Sequence, residues 1–217
     1  MRIRTRFPSG LYGVTPEWDD TDRLLAAIDD AAEGGMVALQ WRRKTIAPEA
    51  RLVQVRRVAE RCHKLGLLLI INDDWRLAAL IDADGVHLGR EDGSLAQARL
   101  ALGSDKIIGC SCYNDPRLAA EALKADVDYI AFGAMYPSSS KPNAVRASLD
   151  HIAEGRALTE SSPIRPRTAV VAIGGITADN AAPVVHAGAD SIALISGLFD
   201  APDIRATAAR CQALFAG

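Results

Sequence analysis

Two aspartates, Asp73 and Asp92, each closely follow a short apolar run of the sequence. The runs, Leu67–Ile71 and Gly85–Leu88, are separated by a helix-length segment, which is the pattern of strand, helix and strand. If the strands are parallel neighbours, both carboxylates leave the same edge of the sheet and approach each other. They then repel unless a cation or a shared proton lies between them. Such ligands suit Mg²⁺, which proteins hold with one or two carboxylates and substrate phosphates.

Helix capping explains the first of these aspartates in a simpler way. Aspartate is a preferred N-cap residue, and Asn72, Asp73 and Asp74 stand directly before a helix predicted to begin at Trp75. Taken alone, capping accounts for this segment better than metal binding does. The rest of the chain therefore has to decide between the two interpretations.

A cluster of polar residues also follows the second predicted strand. Gln40, Arg42 and Lys44 are spaced by two, and on an extended segment this spacing places side chains on one face. Two cations and an amide on one face suit a polyanion such as a diphosphate. A solvated basic strand end would explain the two cations equally well.

Small residues follow the last two strands. Gly174 and Gly175 come after the seventh strand, and Ser196 and Gly197 come after the eighth. In many barrel proteins the loops at these two places bind phosphate through backbone N–H groups. Glycine lets the main chain approach the anion closely. Together the two pairs predict a phosphate site.

Two further segments carry hydroxyl groups after strands. Ser111 follows the fifth strand, and the longest irregular stretch, Ala134–Ala147, contains Ser138, Ser140 and Lys141. Small hydroxyls beside a lysine suit phosphate oxygens, and a loop of this length is able to act as a lid. A surface loop of the same composition would also be ordinary.

The elements that must position these residues are eight strands, each followed by a helix. The strands are predicted at Leu11–Thr15, Met36–Gln40, Leu67–Ile71, Gly85–Leu88, Lys106–Cys110, Tyr129–Gly133, Ala169–Ile173 and Ser191–Ile195. The helices are predicted at about Thr21–Ala32, Pro48–Lys64, Trp75–Leu80, Ser94–Leu102, Pro116–Ala125, Leu149–Ala157, Ala178–Ala187 and Ile204–Phe215.

Eight strand–helix units in 217 residues predict an α/β protein of one domain, a (β/α)8 or TIM barrel, after an N-terminal leader at residues 1–10. The strands are nearly continuous apolar runs, as a parallel sheet covered by helices requires. A doubly wound open sheet is the main alternative. The barrel is favoured because polar residues follow nearly every strand, whereas an open sheet gathers them at one switch point.

Composition limits the partners and the location. A net charge of −2 argues against general binding to nucleic acids or to anionic membranes. No apolar run is long enough to span a membrane, and the first residues lack a signal-peptide core. The four cysteines have no metal or redox spacing, which indicates reduced thiols in the cytoplasm. Small-molecule substrates are expected, and a homo-oligomer stays open.

At this point the chain resembles the thiamine phosphate synthase family, which also includes thiazole tautomerases, over nearly its whole length. No single motif is specific, but their order and spacing together are. The matching segments are LYGVT, QWRRK, IINDD, DGVHLGRED, IIGCSCY, DYIAFGAMYPSSSKPNA, VVAIGGI and GADSIALIS.

The resemblance implies a reaction and the residues that serve it. The family joins a pyrimidine diphosphate to a thiazole phosphate and releases pyrophosphate. Asp73 and Asp92 would hold Mg²⁺, the implied cofactor. Arg42, Lys44 and Lys141 would bind the pyrophosphate, with Arg42 and Lys141 counted among the catalytic residues.

The remaining roles concern the two organic ligands. By resemblance, Gln40 and Asn72 would face the pyrimidine, and Ser111 would lie close to the departing group as a third catalytic residue. Backbone groups after the last two strands would hold the thiazole phosphate, at Gly174, Ile195 and Ser196. Ser138 and Ser140 complete the expected substrate-binding set.

The chain departs from the family pattern at several positions. Family members usually have Glu in place of Arg43, Gln in place of Arg90 and His in place of Tyr113. Ser138 and Ser140 replace threonines and keep the hydroxyl group. Arg43 and Arg90 would add positive charge near the diphosphate, which either tightens anion binding or marks a paralogue with another substrate.

The predicted mechanism is a dissociative substitution, in which the aminopyrimidine stabilises a cation and the thiazole nitrogen captures it. Positioning and stabilisation of the leaving charge would then be the protein's main contributions. His87 lies within a strand and is interpreted as structural or as orienting a neighbour. The alternatives are a thiazole tautomerase-like paralogue and a non-catalytic protein that binds phosphate ligands.

Overall fold

Eight parallel strands close into a barrel in the order of the chain, with the first strand paired to the last. The computed structural model describes residues 5–137, 145–162 and 166–216. The strands are β1 (Gly10–Val14), β2 (Ala38–Trp41), β3 (Leu68–Asn72), β4 (Gly85–Leu88), β5 (Ile107–Tyr113), β6 (Tyr129–Phe132), β7 (Ala169–Ile173) and β8 (Ser191–Leu194). The predicted TIM barrel is therefore confirmed, and the open sheet is not formed.

In the part of the chain that the structure describes, seven helices connect successive strands and two more follow β8. They are α1 (Thr21–Glu33), α2 (Pro48–Leu65), α3 (Trp75–Leu80), α4 (Leu95–Leu102), α5 (Pro116–Lys124), α6 (Leu149–Ser161), α7 (Ala182–His186), α8 (Ser196–Phe199) and α9 (Ile204–Ala213). Within the described ranges, no helix combines the length and apolarity needed to cross a bilayer.

The strands are buried on both faces, which explains their continuous apolar sequences. Outward side chains such as Leu39 and Val86 pack in the large core beneath the helices. Inward side chains such as Tyr12, Ile70 and Tyr129 form a second core inside the barrel. Alternation along each strand therefore sends successive residues to two different apolar cores.

Residues 5–10 pack against the barrel strands. Gly10 belongs to β1, and Phe7 is fully buried with its ring 4.4 Å from that of Tyr129. Arg6 forms an ion pair of 2.6 Å with Asp128, which lies just before β6. Residues 5–10 of the predicted leader thus pack as part of the barrel.

The last third of the barrel differs from the predicted helix boundaries. A helix was expected over Ala178–Ala187, but α7 begins only at Ala182. Thr177 and Asn180 form a turn in which the Asn180 side chain accepts the Thr177 N–H at 2.8 Å. The short helix α8 begins at Ser196, directly after β8, and was not among the eight predicted helix ranges.

Candidate active site

Asp73 and Asp92 meet at the carboxyl-terminal rim of the barrel. Their side chains lie within hydrogen-bonding reach of each other. The Asp73 N–H donates to the His87 carbonyl at 2.8 Å, and an Asp92 oxygen accepts the Gly89 N–H at 2.7 Å. Burial and the adjacent Asp73 carboxyl raise the pKa of Asp92 above its ordinary value. Lys44, 3.5 Å from Asp73, offsets part of this negative charge, and a cation beside the pair would neutralise the rest.

The capping role and the rim position belong to different aspartates. Asp74 is the N-cap of α3 and accepts the Leu77 N–H at 2.9 Å. Its other oxygen pairs with Arg51 at 2.9 Å. Asp73 has a positive φ of 65°, and its carboxylate faces Lys44 at 3.5 Å. Capping therefore explains Asp74 and leaves the Asp73 carboxylate on the rim.

The two carboxylates suit a magnesium ion whose remaining ligands come from a bound substrate. No group of three or more His, Cys, Asp or Glu residues in the described part of the chain is arranged to hold a metal. Mg²⁺ does not require such a group, because one or two carboxylates suffice when substrate phosphates supply further oxygens. The two carboxyl side chains lie together, which raises the pKa of Asp92, and this arrangement agrees with a cation beside the pair.

A cleft of about 730 Å³ opens beside the two carboxylates. Asn72, at the end of β3, and Lys44 line it together with Asp73 and Asp92. Larger side chains also line it, among them Trp41, Arg51, Trp75 and Arg76. Carboxylates, cations and an amide thus share one cleft, as a magnesium diphosphate would need.

Gln40, Arg42 and Lys44 do not share one face of an extended strand, because β2 ends at Trp41. Gln40 is buried in the barrel and donates to the Tyr12 hydroxyl at 2.8 Å. Arg42 contacts Glu17 at 3.4 Å, whereas Lys44 contacts Asp73. The loop after β2, and not the strand pleat, therefore sets where the two cations point.

Glu17 holds this loop, and the sequence analysis missed it. Its two carboxylate oxygens accept the Lys44 N–H at 3.0 and 3.1 Å, and one also accepts the Thr45 hydroxyl at 3.0 Å. Burial by itself would raise the pKa of Glu17, but these hydrogen bonds and Arg43 bring it below its ordinary value. A lone Glu before Trp18 gives no local signal of this role, because its partners lie far along the chain.

Arg43 lines the first cleft, as expected, but its guanidinium is paired within the protein and adds no free charge there. Its side chain is completely buried and pairs with Asp19 at 2.6 Å. The same guanidinium donates to Gln54 at 2.8 Å and to the Trp18 carbonyl. The buried charge therefore fastens the loop after β1 to α2.

Arg90 and Tyr113 lie together, and the Tyr113 hydroxyl is beside Gly89, as is the Asp92 carboxylate. The Arg90 guanidinium lies over the Tyr113 ring, 5.5 Å from its centroid. The Tyr113 hydroxyl accepts the Arg90 N–H at 3.4 Å. These two departures from the family pattern thus contact each other directly.

Ser111 lies on β5 and is hydrogen-bonded to His87. The His87 Nε2 atom is 2.8 Å from the Ser111 hydroxyl oxygen, and Nδ1 is 2.9 Å from the Tyr129 hydroxyl. The Tyr129 and Tyr12 hydroxyls are 3.0 Å apart. The interpretation of His87 as a residue that orients a neighbour agrees with these contacts.

A second cleft, of about 230 Å³, lies between the ends of β7 and β8. Gly174 has a φ of 99°, and a side chain there would come within 2.6 Å of the Ala134 backbone. Gly175 has a φ of 66°, and a side chain there would meet the Pro137 carbonyl at 2.4 Å. The turn therefore requires glycine at both positions, and it exposes backbone instead of side chains to the cleft.

Ile195 and Ser196 form the opposite wall of the second cleft. Ile195 is the N-cap of α8, and Ser196 and Gly197 are its first residues. The first N–H groups of a helix have no acceptor within the helix, so they are available to an anion. The short helix α8 thus begins at the position where a backbone phosphate site was predicted.

Three predicted residues lie outside the described ranges: Ser138, Ser140 and Lys141. The residue before them, Pro137, lines the second cleft. The predicted set is otherwise brought to one end of the barrel, at the carboxyl ends of the strands. The fold and the clefts define a (β/α)8-barrel protein with its polar site on the carboxyl-terminal rim.

Comparison with known proteins agrees with this class. The family model described as thiamine monophosphate synthase matches residues 11–198. The thiamine-phosphate synthase of Bordetella avium (strain 197N) is 56% identical over 210 residues, which cover 97% of this chain and 96% of that protein. The enzyme of the same name from Bordetella pertussis (strain Tohama I) is 54% identical with the same coverage.

A solved structure shows the same likeness in three dimensions. The thiamine phosphate pyrophosphorylase from Pyrococcus furiosus superposes with a TM-score of 0.81 and 31% identity, over 97% of each chain. The chain belongs to the thiamine monophosphate synthase family. It is a transferase of thiamine biosynthesis with the thiamine-phosphate synthase function.

Proposed function

We propose that the enzyme joins 4-amino-2-methyl-5-(diphosphooxymethyl)pyrimidine to a thiazole phosphate and releases pyrophosphate. One bond breaks, between the exocyclic methylene carbon and the diphosphate oxygen, and its electron pair leaves with the pyrophosphate. One bond forms, as the thiazole nitrogen donates its lone pair to the same carbon. The electron-rich aminopyrimidine stabilises the cation between these events, so the reaction is dissociative and needs no protein nucleophile.

The first cleft is the proposed site of the pyrimidine diphosphate. Asp73 and Asp92 would hold Mg²⁺, which when bound would neutralise charge on the diphosphate. Lys44 lies 3.5 Å from Asp73 and is proposed to bind the leaving group there. Arg42 and Lys141 are proposed to bind the same oxygens. Positive charge that is already in place lowers the cost of developing negative charge on the pyrophosphate.

The pyrimidine ring is proposed to lie above the barrel interior. Gln40 and Asn72 would face its polar edge, and both residues lie at the ends of neighbouring strands. Ser111 is proposed to donate its hydroxyl to the departing group. These contacts would hold the ring so that the methylene carbon faces the second cleft.

The second cleft is the proposed site of the thiazole phosphate. Backbone N–H groups at Gly174, Ile195 and Ser196 would bind its phosphate. Ser138 and Ser140, in the segment that begins after Pro137, would add hydroxyl donors. A cytoplasmic location is proposed with this function, since the four cysteines are free thiols.

The observation that carries the proposal is the contact between Asp73 and Asp92 on the rim that also holds the second cleft. One measurement separates the proposal from its alternatives. The protein is incubated with both substrates and Mg²⁺, and pyrophosphate is quantified. Release that requires both substrates supports the synthase reaction. Isomerisation of the thiazole alone would indicate a tautomerase, and binding without turnover would indicate a ligand-binding protein.

A further inference from the structure

Five polar side chains form a continuous row of hydrogen bonds across the inside of the barrel, which we call the polar row. It runs from Gln40 to Tyr12 at 2.8 Å, and from Tyr12 to Tyr129 at 3.0 Å. It continues from Tyr129 to His87 at 2.9 Å, and from His87 to Ser111 at 2.8 Å. Both ends of the row are residues with a proposed substrate role, and the three middle residues have none.

The middle of the polar row is closed to water. Tyr12 and Tyr129 are 1% and 0% exposed. Burial raises the pKa of both phenols well above the ordinary value, so each hydroxyl keeps its single proton at neutral pH. Each hydroxyl therefore has one hydrogen to donate and oxygen lone pairs to accept with.

The number of hydroxyl hydrogens determines which residue donates in each hydrogen bond of the polar row. The Gln40 amide nitrogen donates to the Tyr12 oxygen, because an amide nitrogen only donates. Among the described residues the Tyr12 hydroxyl has one other partner, Tyr129, so its hydrogen goes there. The Tyr129 hydrogen must then go to Nδ1 of His87, its other partner in the described ranges. Any other order leaves a buried hydroxyl hydrogen unpaired, which is costly.

This direction also determines the tautomer of His87 and whether Ser111 accepts or donates in their hydrogen bond. A ring that accepts at Nδ1 carries its proton on Nε2, and this N–H faces the Ser111 oxygen. Ser111 thus accepts from His87, and its own hydrogen is directed to another partner. At the opposite end, Gln40 donates its nitrogen to the row and keeps its carbonyl oxygen as an acceptor.

We propose that His87 and Tyr129 are positioning residues that keep Ser111 a hydrogen-bond donor and Gln40 an acceptor toward the ligand above the barrel. This inference rests on the proposed function, because it assigns the polarity of the two residues that would contact the pyrimidine diphosphate. The site then prefers a ligand with a donor group near Gln40 and an acceptor oxygen near Ser111. An aminopyrimidine that carries a diphosphate has both.

Nitrogen NMR of the free protein tests the direction without any substrate. The protein is labelled with ¹⁵N-histidine, and the His87 signals are isolated by replacing the three helix histidines, His63, His151 and His186, with glutamine. The protonated and unprotonated ring nitrogens resonate well apart. A neutral ring with its proton on Nε2 is expected. A proton on Nδ1, or on both nitrogens, would overturn the proposal.

Two matched variants connect this direction to catalysis. Tyr129→Phe removes the hydroxyl that donates to His87. Tyr12→Phe also removes a phenol hydroxyl, but it leaves the hydroxyl of Tyr129 in place. For Tyr129→Phe we expect mixed His87 tautomers and a kcat about tenfold lower, the loss of one hydrogen bond, with KM within about twofold. For Tyr12→Phe we expect the wild-type tautomer and mainly a higher KM for the pyrimidine diphosphate, because Gln40 loses its anchor.

The outcomes separate the two proposals. If the wild-type protein releases no pyrophosphate, the proposed function is wrong. The His87 tautomer measured in the free protein still tests the direction of the hydrogen bonds in the polar row. If Tyr129→Phe keeps the wild-type tautomer, the direction is wrong even when pyrophosphate release is normal. Equal losses of kcat in both variants, with wild-type melting temperatures, would reduce the row to a structural role and overturn the positioning claim.

Discussion

Gly109 and Tyr129 face each other on neighbouring strands, and the ring of Tyr129 occupies the space that a side chain at position 109 would need. A Cβ atom on Gly109 would lie 1.9 Å from Cζ of Tyr129. On another side Phe7 packs against the same ring. Because position 109 on β5 is glycine, the ring of Tyr129 on β6 has room to reach His87. Packing inside the barrel thus affects a residue near the rim.

Gly109→Ala is therefore expected to displace Tyr129. We expect a free energy of unfolding lower by about 1–3 kcal/mol, the usual cost of overpacking, together with a lower kcat. Chemical denaturation and steady-state kinetics measure the two effects. Tyr129→Leu supplies the control, because the double variant should lose less stability than the sum of the single variants. Additive losses would show that the ring is not the obstacle.

Asp92→Asn is expected to abolish most of the magnesium dependence of the reaction. Loss of one charged ligand should lower the Mg²⁺-stimulated rate by about 100-fold, or about 3 kcal/mol of transition-state stabilisation. A magnesium titration of the rate measures this. Asp74→Ala is the matched control: it should cost about 0.5–2 kcal/mol of stability through the lost cap and keep the wild-type magnesium curve. Equal curves for Asp92→Asn and wild type would refute the metal assignment.

Glu17 should make the free energy of unfolding depend on pH in the acid range. The pKa of Glu17 is lowered from 4.5 in the folded protein, so the unfolded chain binds more protons as the pH falls. Its contribution is fully present above about pH 4.5 and is lost as the pH falls through the lowered pKa. Urea midpoints of wild type and Glu17→Gln should therefore differ at neutral pH and converge in acid. A constant difference between the two urea midpoints from pH 7 to pH 3 would contradict this role of Glu17.

Ser196→Pro tests the backbone site for the second substrate. Proline is accepted at the start of a helix but removes the N–H group. Loss of one hydrogen bond to a charged group should raise the Kd of the thiazole phosphate by about tenfold to hundredfold. Ser196→Ala keeps the N–H and should bind as wild type in calorimetry. If the alanine variant weakens binding as much as the proline variant, the hydroxyl and not the backbone is the donor.

Much of the fold and part of the site could be predicted from the sequence. Apolar runs of four or five residues located all eight strands to within about two residues at their starts. The strand ends then placed Asp73, Asp92 and Gly174 on one rim, since the carboxyl ends of barrel strands share one edge. These predictions depend on local pattern and on a general property of the fold, and both can be taken from the chain alone.

Other roles depend on partners that are distant in sequence. Glu17 reaches Lys44 across 27 positions, and Arg43 reaches Asp19 across 24. Neither hydrogen bond could be predicted from the residues next to Glu17 or Arg43. Backbone geometry likewise ended β2 at Trp41, before the spacing of the basic cluster could apply.

The sequence by itself determined the barrel, its order and the set of polar residues at the strand ends, because hydrophobic periodicity and strand length are local properties. Only the tertiary structure decided that Asp74 caps the helix while Asp73 meets Asp92, and that His87 is hydrogen-bonded to Ser111. Each of these assignments depends on which hydrogen-bond donors and acceptors lie within about 3 Å, a distance that is set when the strands close into the barrel.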